Sequence, residues 1–376
     1  MQQKSCFGSA RYRTWFFEPS KAELVKVMQL EVVTRGFALL GESFLFLRKR
    51  GMEMKKVLSI LLVLGLVLTG CNSSSKKDKK DVKIAVLQYM PHAALDAAYK
   101  GFKDKLVKEG YSAKNITLKN AQGEISNCET IAEQMVNESP DLIYAIATPA
   151  AQTIAKKTKD IPVVVSAVTD PETSKLVKSN KKPGNNVTGT SDLTPVKDQI
   201  KLLKSLLPNA KEVAVLYTGS ESNSEIQAKI AVKEAKANGL NVVEKTVSDS
   251  NDIDAVARSI KSDVVYIPTD NLLAANVPTV TQALNENNIP LICGEEAMVK
   301  NGGLATYGID YYKLGQKSGE MAIKILKGAT PATMPIEYLD SKDCELTINK
   351  TQVSRFKVSV PADLEKKANY VTTNKQ

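Results

Sequence analysis

Histidine is almost missing from this chain: there is one, His92, in 376 residues. A serine–histidine–acid triad or a histidine-rich metal site would have to be built on that residue alone. No GxSxG elbow, Walker A loop, GxGxxG turn or HExxH pair occurs, so the sequence offers neither a nucleophile–base pair nor a phosphate cradle. A binding protein without cofactor or metal is expected, not an enzyme. Tryptophan is equally scarce, with Trp15 alone, and the body of the chain lacks the ring that sugar-binding clefts stack on their ligand. The five cysteines show no CxxC spacing, which gives a disulfide framework or zinc site little support. Cys128, Cys293 and Cys344 are expected as free, largely buried thiols, with one pair among them left open. The formal charge of +10 suggests nucleic acid until its position is read: residues 1–81 hold +8 of it. From Val82 onward the chain is nearly neutral, and no nucleic-acid groove is implied.

Composition changes near Met54. Six of the eight Phe, the only Trp and five of the seven Arg precede it. Residues 1–53 are read as an upstream extension, with initiation at Met54 or Met52; the alternative is a small amphipathic accessory segment. Lys55 and Lys56 followed by the apolar run Val57–Val67 give residues 54–70 the shape of a secretory signal, too short for a span of about 20 residues. Leu68-Thr69-Gly70-Cys71 resembles the lipobox of bacterial lipoproteins, which implies cleavage before Cys71 and a palmitate-type lipid on that residue. Residues 71–81 then form a polar, Lys-rich tether. Beyond Met54 only Arg258 and Arg355 interrupt the use of Lys. Together these predict a protein lipid-anchored at the extracytoplasmic face of a cell membrane, on a Gram-positive surface rather than in a periplasm.

The body alternates short apolar runs with amphipathic stretches, the pattern of α/β architecture with parallel sheets. Strands are predicted at 83–87, 116–118, 142–147 and 163–168, then at 213–217, 242–247, 264–267 and 291–293, with a further strand at 304–307. Helices are predicted at 94–109, 125–137, 195–207, 224–238 and 252–262, with Gly110 and Gly239 as C-caps. The two strand sets look like copies: Ile84-Ala-Val-Leu87 matches Val213-Ala-Val-Leu216, and Asp141-Leu-Ile-Tyr144 matches Asp263-Val-Val-Tyr266. Two Rossmann-like lobes follow. Ligands of such sheets bind beyond the carboxyl ends of the strands. Those ends carry Gln88, Thr148-Pro149, Thr169-Asp170, Ser220 to Asn223, Thr269-Asp270-Asn271 and Glu295-Glu296. Facing lobes would enclose a small polar ligand in a cleft and close on it by a hinge. Glu295 and Glu296 read as solvated loop charges, and His92 as either a pocket wall or a helix cap.

Several motifs together resemble the substrate-binding lipoproteins of ABC importers of the tryptophan/tyrosine type. They are Ala-Gln-Gly-Glu (121–124), Ala-Thr-Pro-Ala-Ala-Gln (147–152), Val-Thr-Asp-Pro (168–171), Asn-Val-Thr-Gly-Thr-Ser-Asp-Leu-Thr-Pro (186–195), Ser-Glu-Ser-Asn-Ser (220–224), Pro-Thr-Asp-Asn (268–271) and Leu-Ala-Thr-Tyr-Gly-Ile-Asp-Tyr-Tyr-Lys-Leu-Gly (304–315). The resemblance implies the type I periplasmic-binding-protein fold, with three hinge crossings. These would fall near Ser191–Pro195, Gly308–Asp310 and Thr333–Pro335. Lobe 1 would comprise 82–192 plus 310–333, and lobe 2 would comprise 195–308 plus 334–376. Where the family often has His-Pro-Ala-Leu-Asp, this chain has His92-Ala-Ala-Leu-Asp96.

The resemblance also implies an amino acid ligand, aromatic by family preference alone, delivered to an ABC permease driven by an ATPase. Its carboxylate would meet Thr148, Ala150, Ala151 and Thr169 at helix N-termini. Its ammonium would meet Asp270 and Asp310. Gln88, Tyr89, Pro91 and His92 would wall the side chain, with Pro149, Asp170, Ser191, Asn223 and Asn271 completing the site. Helix capping is the competing role for Asp270, Asp170 and Asn223. Two other functions fit the same fold: a surface adhesin or interaction lipoprotein, and a sugar or nucleoside binder.

Overall fold

The structure, a computed structural model, describes residues 77–339 and 343–373. The predicted upstream extension, the signal and lipid-bearing Cys71 therefore lie outside the described residues.

Two sheets organise the body. The first has five strands, β1 (Ile84–Gln88), β2 (Ile116–Asn120), β3 (Leu142–Ile146), β4 (Val163–Val168) and β5 (Val187–Ser191), in the order β2-β1-β3-β4-β5. All of its pairings are parallel. The second has β6 (Glu212–Thr218), β7 (Asn241–Val247), β8 (Val264–Ile267), β9 (Leu291–Cys293), β10 (Ala305–Ile309), β11 (Cys344–Asn349) and β12 (Asn369–Val371). Its order is β12-β11-β10-β9-β8-β6-β7, so β7-β6-β8-β9-β10 repeats the first sheet's arrangement before β11 adds an antiparallel edge. Central strands such as β1, β3 and β4 are buried along their whole length, which is why they read as unbroken apolar runs. The edge strands β2 and β7 are largely solvent-facing and carry Lys119 and Lys245.

The helices are α1 (Ala93–Lys108), α2 (Ile125–Asn137), α3 (Thr148–Lys157), α4 (Val196–Leu206), α5 (Ser222–Ala237), α6 (Ile253–Ser259), α7 (Asn271–Ala275), α8 (Val277–Glu286), α9 (Glu296–Lys300), α10 (Tyr311–Leu326), α11 (Lys350–Phe356) and α12 (Ala362–Glu365). Gly110 and Gly239 end α1 and α5 at φ +93° and +77°. The next amides, of Tyr111 and Leu240, turn back to the carbonyls of Leu106 and Ala235, closing both helices with the expected glycine cap. The repeated Asp–x–x–Tyr segments do the same work twice. Asp141 accepts the amide of Lys83 at the start of β1, and Asp263 accepts those of Lys211 and Glu212 at the start of β6. Tyr144 and Tyr266 are fully buried in the centre of each sheet.

The chain passes between the sheets three times. The first passage runs from β5 to α4 through Asp192–Pro195, and the second from β10 into α10 at Asp310. Met334–Glu337 remains with the first sheet: Glu337 donates to Gly189, receives the amide of Ser191, and Thr188 Oγ1 donates to the Met334 carbonyl. The third passage therefore falls between Glu337 and Cys344 rather than at Thr333–Pro335, because this segment satisfies the outer edge of β5. α10 packs on α1, and its Leu314, Ala322 and Ile323 join the core of the first sheet. The contact is backbone-close: a Cβ on Gly315 would lie 2.0 Å from the Ala98 carbonyl oxygen, and one on Gly101 would lie 2.0 Å from that of Tyr312. Cys128, Cys293 and Cys344 are free.

Candidate functional site

The carboxyl ends of both sheets face one small, tightly closed space. Its lining from the first lobe is His92, Leu95, Ala167 and Thr169; from the second, Asn223, Thr269, Asp270, Asn271, Ala274 and Glu295; and from the passages between them, Asp192 and Tyr311. The lobes touch across it. His92 Nε2 lies 3.2 Å from Asn271 Oδ1, and Gln227 on α5 donates to Thr169 Oγ1 at 2.8 Å while also contacting Thr269. This is a closed arrangement.

The first lobe offers neutral groups under backbone strain. Ala147, just before α3, has φ +81°, and Ala167, where the register of β4 on β5 shifts, has φ +54°. Such conformations cost a non-glycine residue about 1–3 kcal/mol and gather at ligand sites. Thr148 Oγ1 is buried without a partner at the start of α3, whose first N–H groups have no intrahelical acceptor. Thr148, Pro149, Ala150 and Ala151 are all buried at this end of the sheet but do not line the closed space.

The second lobe and the hinge offer carboxylates, of two kinds. Asp270 and Glu221 are spoken for. Asp270 accepts from Thr218 N at 2.7 Å, Thr218 Oγ1 at 2.8 Å and Leu273 N at 2.9 Å, so it caps α7 and ties it to β6. Glu221 receives Asn223 Nδ2, Asn271 Nδ2 and the amides of Asn271 and Leu272. Burial raises the pKa of both, and the charge of Asp270 raises that of Glu221 further. Asp192 and Glu295 are not saturated. Asp192 receives the Tyr311 hydroxyl at 2.8 Å on Oδ2, while its Oδ1 is buried and bare. Glu295 is 3% exposed and caps nothing. Burial pushes Asp192 up to about 6; burial, then the charge of Asp192, pushes Glu295 up to about 8. No Lys or Arg lines the space, so this pair calls for a cation from outside the protein.

Set against the sequence reading, His92, Thr169, Asn223, Asp270 and Asn271 do line the space. Tyr89 is buried beside it and feels the charges of Glu221 and Asp270, which with burial raise its hydroxyl pKa. Other expected residues hold the scaffold. Gln88 donates to the Met90 carbonyl and to Asp96, fixing the loop before α1. Ser191 Oγ donates to the Thr169 carbonyl. Asp170 binds Glu172 N, Thr173 and Asn180; burial works against these bonds, but they outweigh it and hold its pKa low. Asp310 caps α10 through Lys313 N and lines a different depression with Glu296, Gly308 and Glu345, so it does not reach the ligand space. Pro91 is exposed. Glu295 corrects the reading of solvated charge: Glu296 is the surface residue, paired with Lys300 at 2.8 Å. Asp192, Glu221, Gln227 and Tyr311 are not among the expected ligand residues; the Thr-Ser-Asp-Leu, Ser-Glu-Ser-Asn and Ile-Asp-Tyr-Tyr motifs carry a signal for Asp192, Glu221 and Tyr311, and no motif points to Gln227.

Comparison with known proteins agrees with this geometry. Residues 83–372 match the family described as ABC transporter substrate binding protein. A tyrosine-binding protein of Clostridioides difficile is 43% identical over 317 residues, covering 79% of this chain and 91% of the relative. The crystal structure of an ABC domain in complex with L-Trp from Streptococcus pneumoniae superposes with a TM-score of 0.75 at 38% identity, over 78% of this chain and all of the other. The ligand-free, open structure of a Clostridium difficile substrate-binding protein with adhesive properties, at 40% identity and the same coverage, gives 0.61. The better match to the ligand-bound neighbour accords with the closed lobes seen here. More distant solute-binding proteins, near 15% identity, share the fold alone. The architecture is of the type I periplasmic-binding-protein kind, its members bind solutes rather than transform them, and the chain belongs to the ABC transporter substrate-binding protein family.

Proposed function

We propose that this protein captures an aromatic α-amino acid, tyrosine or tryptophan, between its lobes and delivers it to an ABC permease coupled to an ATPase. It acts from the extracytoplasmic face of the cell membrane, held there by lipid on Cys71 at the end of the polar tether. The observation that carries the ligand class is the division of charge across the cleft. Asp192 and Glu295, unsaturated and without a cationic partner, suit an ammonium group. The first lobe lines the space with no acid, and the unpartnered Thr148 hydroxyl and α3 N-terminus, buried at the same end of its sheet though outside the lining of the closed space, suit a carboxylate. A zwitterion with both charged groups on one carbon satisfies both walls at once. The aromatic preference rests on the tyrosine-binding and L-Trp-bound relatives.

Titration calorimetry of the purified protein against the twenty amino acids, sugars and nucleosides tests this reading. Tyrosine or tryptophan should bind, and Glu295→Gln or Asp192→Asn should each weaken binding about 10- to 100-fold by removing a charge-assisted contact. Binding of sugars alone would discard the ligand class. The second reading, a surface adhesin, is favoured by the adhesive properties of one neighbour. It requires attachment to host surfaces that survives both substitutions.

A further inference from the structure

Two buried acceptors in the cleft have no donor. Asn223 Oδ1 and His92 Nδ1 both belong to residues lining the same space, and neither has a hydrogen-bond partner. Their orientation follows from Glu221. Asn223 Nδ2 faces Glu221 Oε2 at 2.9 Å and the Thr269 carbonyl at 3.3 Å, both acceptors, so the amide nitrogen must point there and the oxygen must point away. Asn271 Nδ2 likewise meets Glu221, leaving Asn271 Oδ1 to receive His92. An oxygen cannot donate, so His92 carries its proton on Nε2. The other ring nitrogen, Nδ1, is then a lone pair. Burial holds the imidazole pKa down to about 4, which keeps that lone pair free at neutral pH.

These neutral acceptors are separate from the cation site. The hydrogen bonds that join Asn223, Glu221, Asn271 and His92 share no member with the Tyr311–Asp192 bond, so the two acidic groups are held by different contacts. The ammonium belongs with the open charges of Asp192 and Glu295. A neutral donor is what remains to be supplied at the other end, since a buried acceptor left bare is costly in a closed site.

We propose that Asn223 and His92, oriented by Glu221 through Asn271, select an amino acid whose side chain ends in a hydrogen-bond donor, a phenol O–H or an indole N–H, over one that does not. This rests on the amino acid reading above and adds its specificity. Sites built to bond an O–H or N–H reject the analogue that lacks it, because their own polar groups are then stranded.

The test is calorimetric affinity for tyrosine, tryptophan and phenylalanine on the full purified protein. The unmodified protein should prefer tyrosine or tryptophan to phenylalanine by about 10- to 100-fold. Asn223→Ala and His92→Phe should each collapse that ratio toward one, with phenylalanine affinity changed by less than about threefold. Glu221→Leu, which removes the oxygen that both amides bond, should lower the ratio too while leaving phenylalanine bound, an outcome that a purely structural role for Glu221 would not give. Equal affinity for all three ligands in the unmodified protein, or a ratio untouched by the substitutions, would overturn this inference and leave amino acid capture standing. Binding of none of the three would overturn both.

Discussion

The two lobes share a strand order, β2-β1-β3-β4-β5 against β7-β6-β8-β9-β10, and still present opposite chemistry to the space between them. The first turns neutral groups toward it, His92, the Thr169 hydroxyl and the strained Ala167; the second, with the hinge, turns buried carboxylates. Their outer layers differ as well. In the first lobe α10 returns from the far side of the hinge and lies against α1 at backbone distance, through Gly101 and Gly315. In the second, α4 packs on α5, neither of which contains glycine, and Gln199 reaches the carbonyls of Gly294 and Tyr307. A duplicated framework thus leaves loops and covering helices free to diverge, and the difference in loop charge is what can orient a zwitterion.

The helix contact is where the comparison breaks most easily. Gly315→Ala would drive a methyl into the Ala98 carbonyl, an obstacle that cannot rotate aside, and should cost about 3 kcal/mol by urea denaturation. An alanine-to-glycine change at Ala231 in α5, where a methyl is already accommodated, should cost only the helix propensity and a small void, about 1–2 kcal/mol. A subtler contrast lies in the paired tyrosines. Tyr266 donates to Gln199 Oε1 at 2.7 Å, so Tyr266→Phe should lose about 1–2 kcal/mol by stranding that acceptor. The Tyr144 hydroxyl closes no hydrogen bond of good geometry, with Ser166 and Ser318 the polar groups beside it, so Tyr144→Phe should cost less than Tyr266→Phe by the same measurement.

The smallest effect is expected from pH. Asp192 and Glu295 keep their protons to about pH 6 and 8 in the closed fold, well above their ordinary range. Between about pH 4 and 8 the folded protein therefore binds more protons than the unfolded chain, and stability falls as pH rises through that window. Acids held low, such as Asp170 and Asp263, titrate below it; Glu221 and Asp270 act in the same direction as the pair, and His92, held down to about 4, opposes the four acids in the lower part of the window without outweighing them. Opening of the lobes hydrates these groups, so the ligand-free protein should lose only about 1 kcal/mol between pH 5 and pH 8. Thermal melts should show Glu295→Gln flattening that slope; an unchanged slope would mean Glu295 is solvated and the second lobe's wall is less charged than it looks.

Much of the fold was legible because parallel strands buried on both faces leave continuous apolar runs. β4, β8 and β9 match the predicted spans residue for residue, and α2 does so as well. β5 escaped notice because Val187-Thr-Gly-Thr-Ser191 is polar, and its burial depends on α10 and Met334–Glu337 arriving from far along the chain. The site was legible to the level of the strand ends. Which residue at each end faces the ligand was not, since Asp270 and Asp310 look alike in sequence as acids before helices and only one of them lines the cleft.

The sequence by itself determined two repeated α/β units, the absence of a nucleophile–base pair and the side of each sheet where a ligand must bind, because burial periodicity and residue chemistry are local properties. Tertiary structure alone decided which carboxylates are saturated and which are open. Thr218 reaches Asp270, and Asn223 and Asn271 reach Glu221, from separate loops. Nothing of the kind reaches Glu295. Whether a buried charge is satisfied depends on neighbours that the fold, not the local sequence, brings within hydrogen-bond distance.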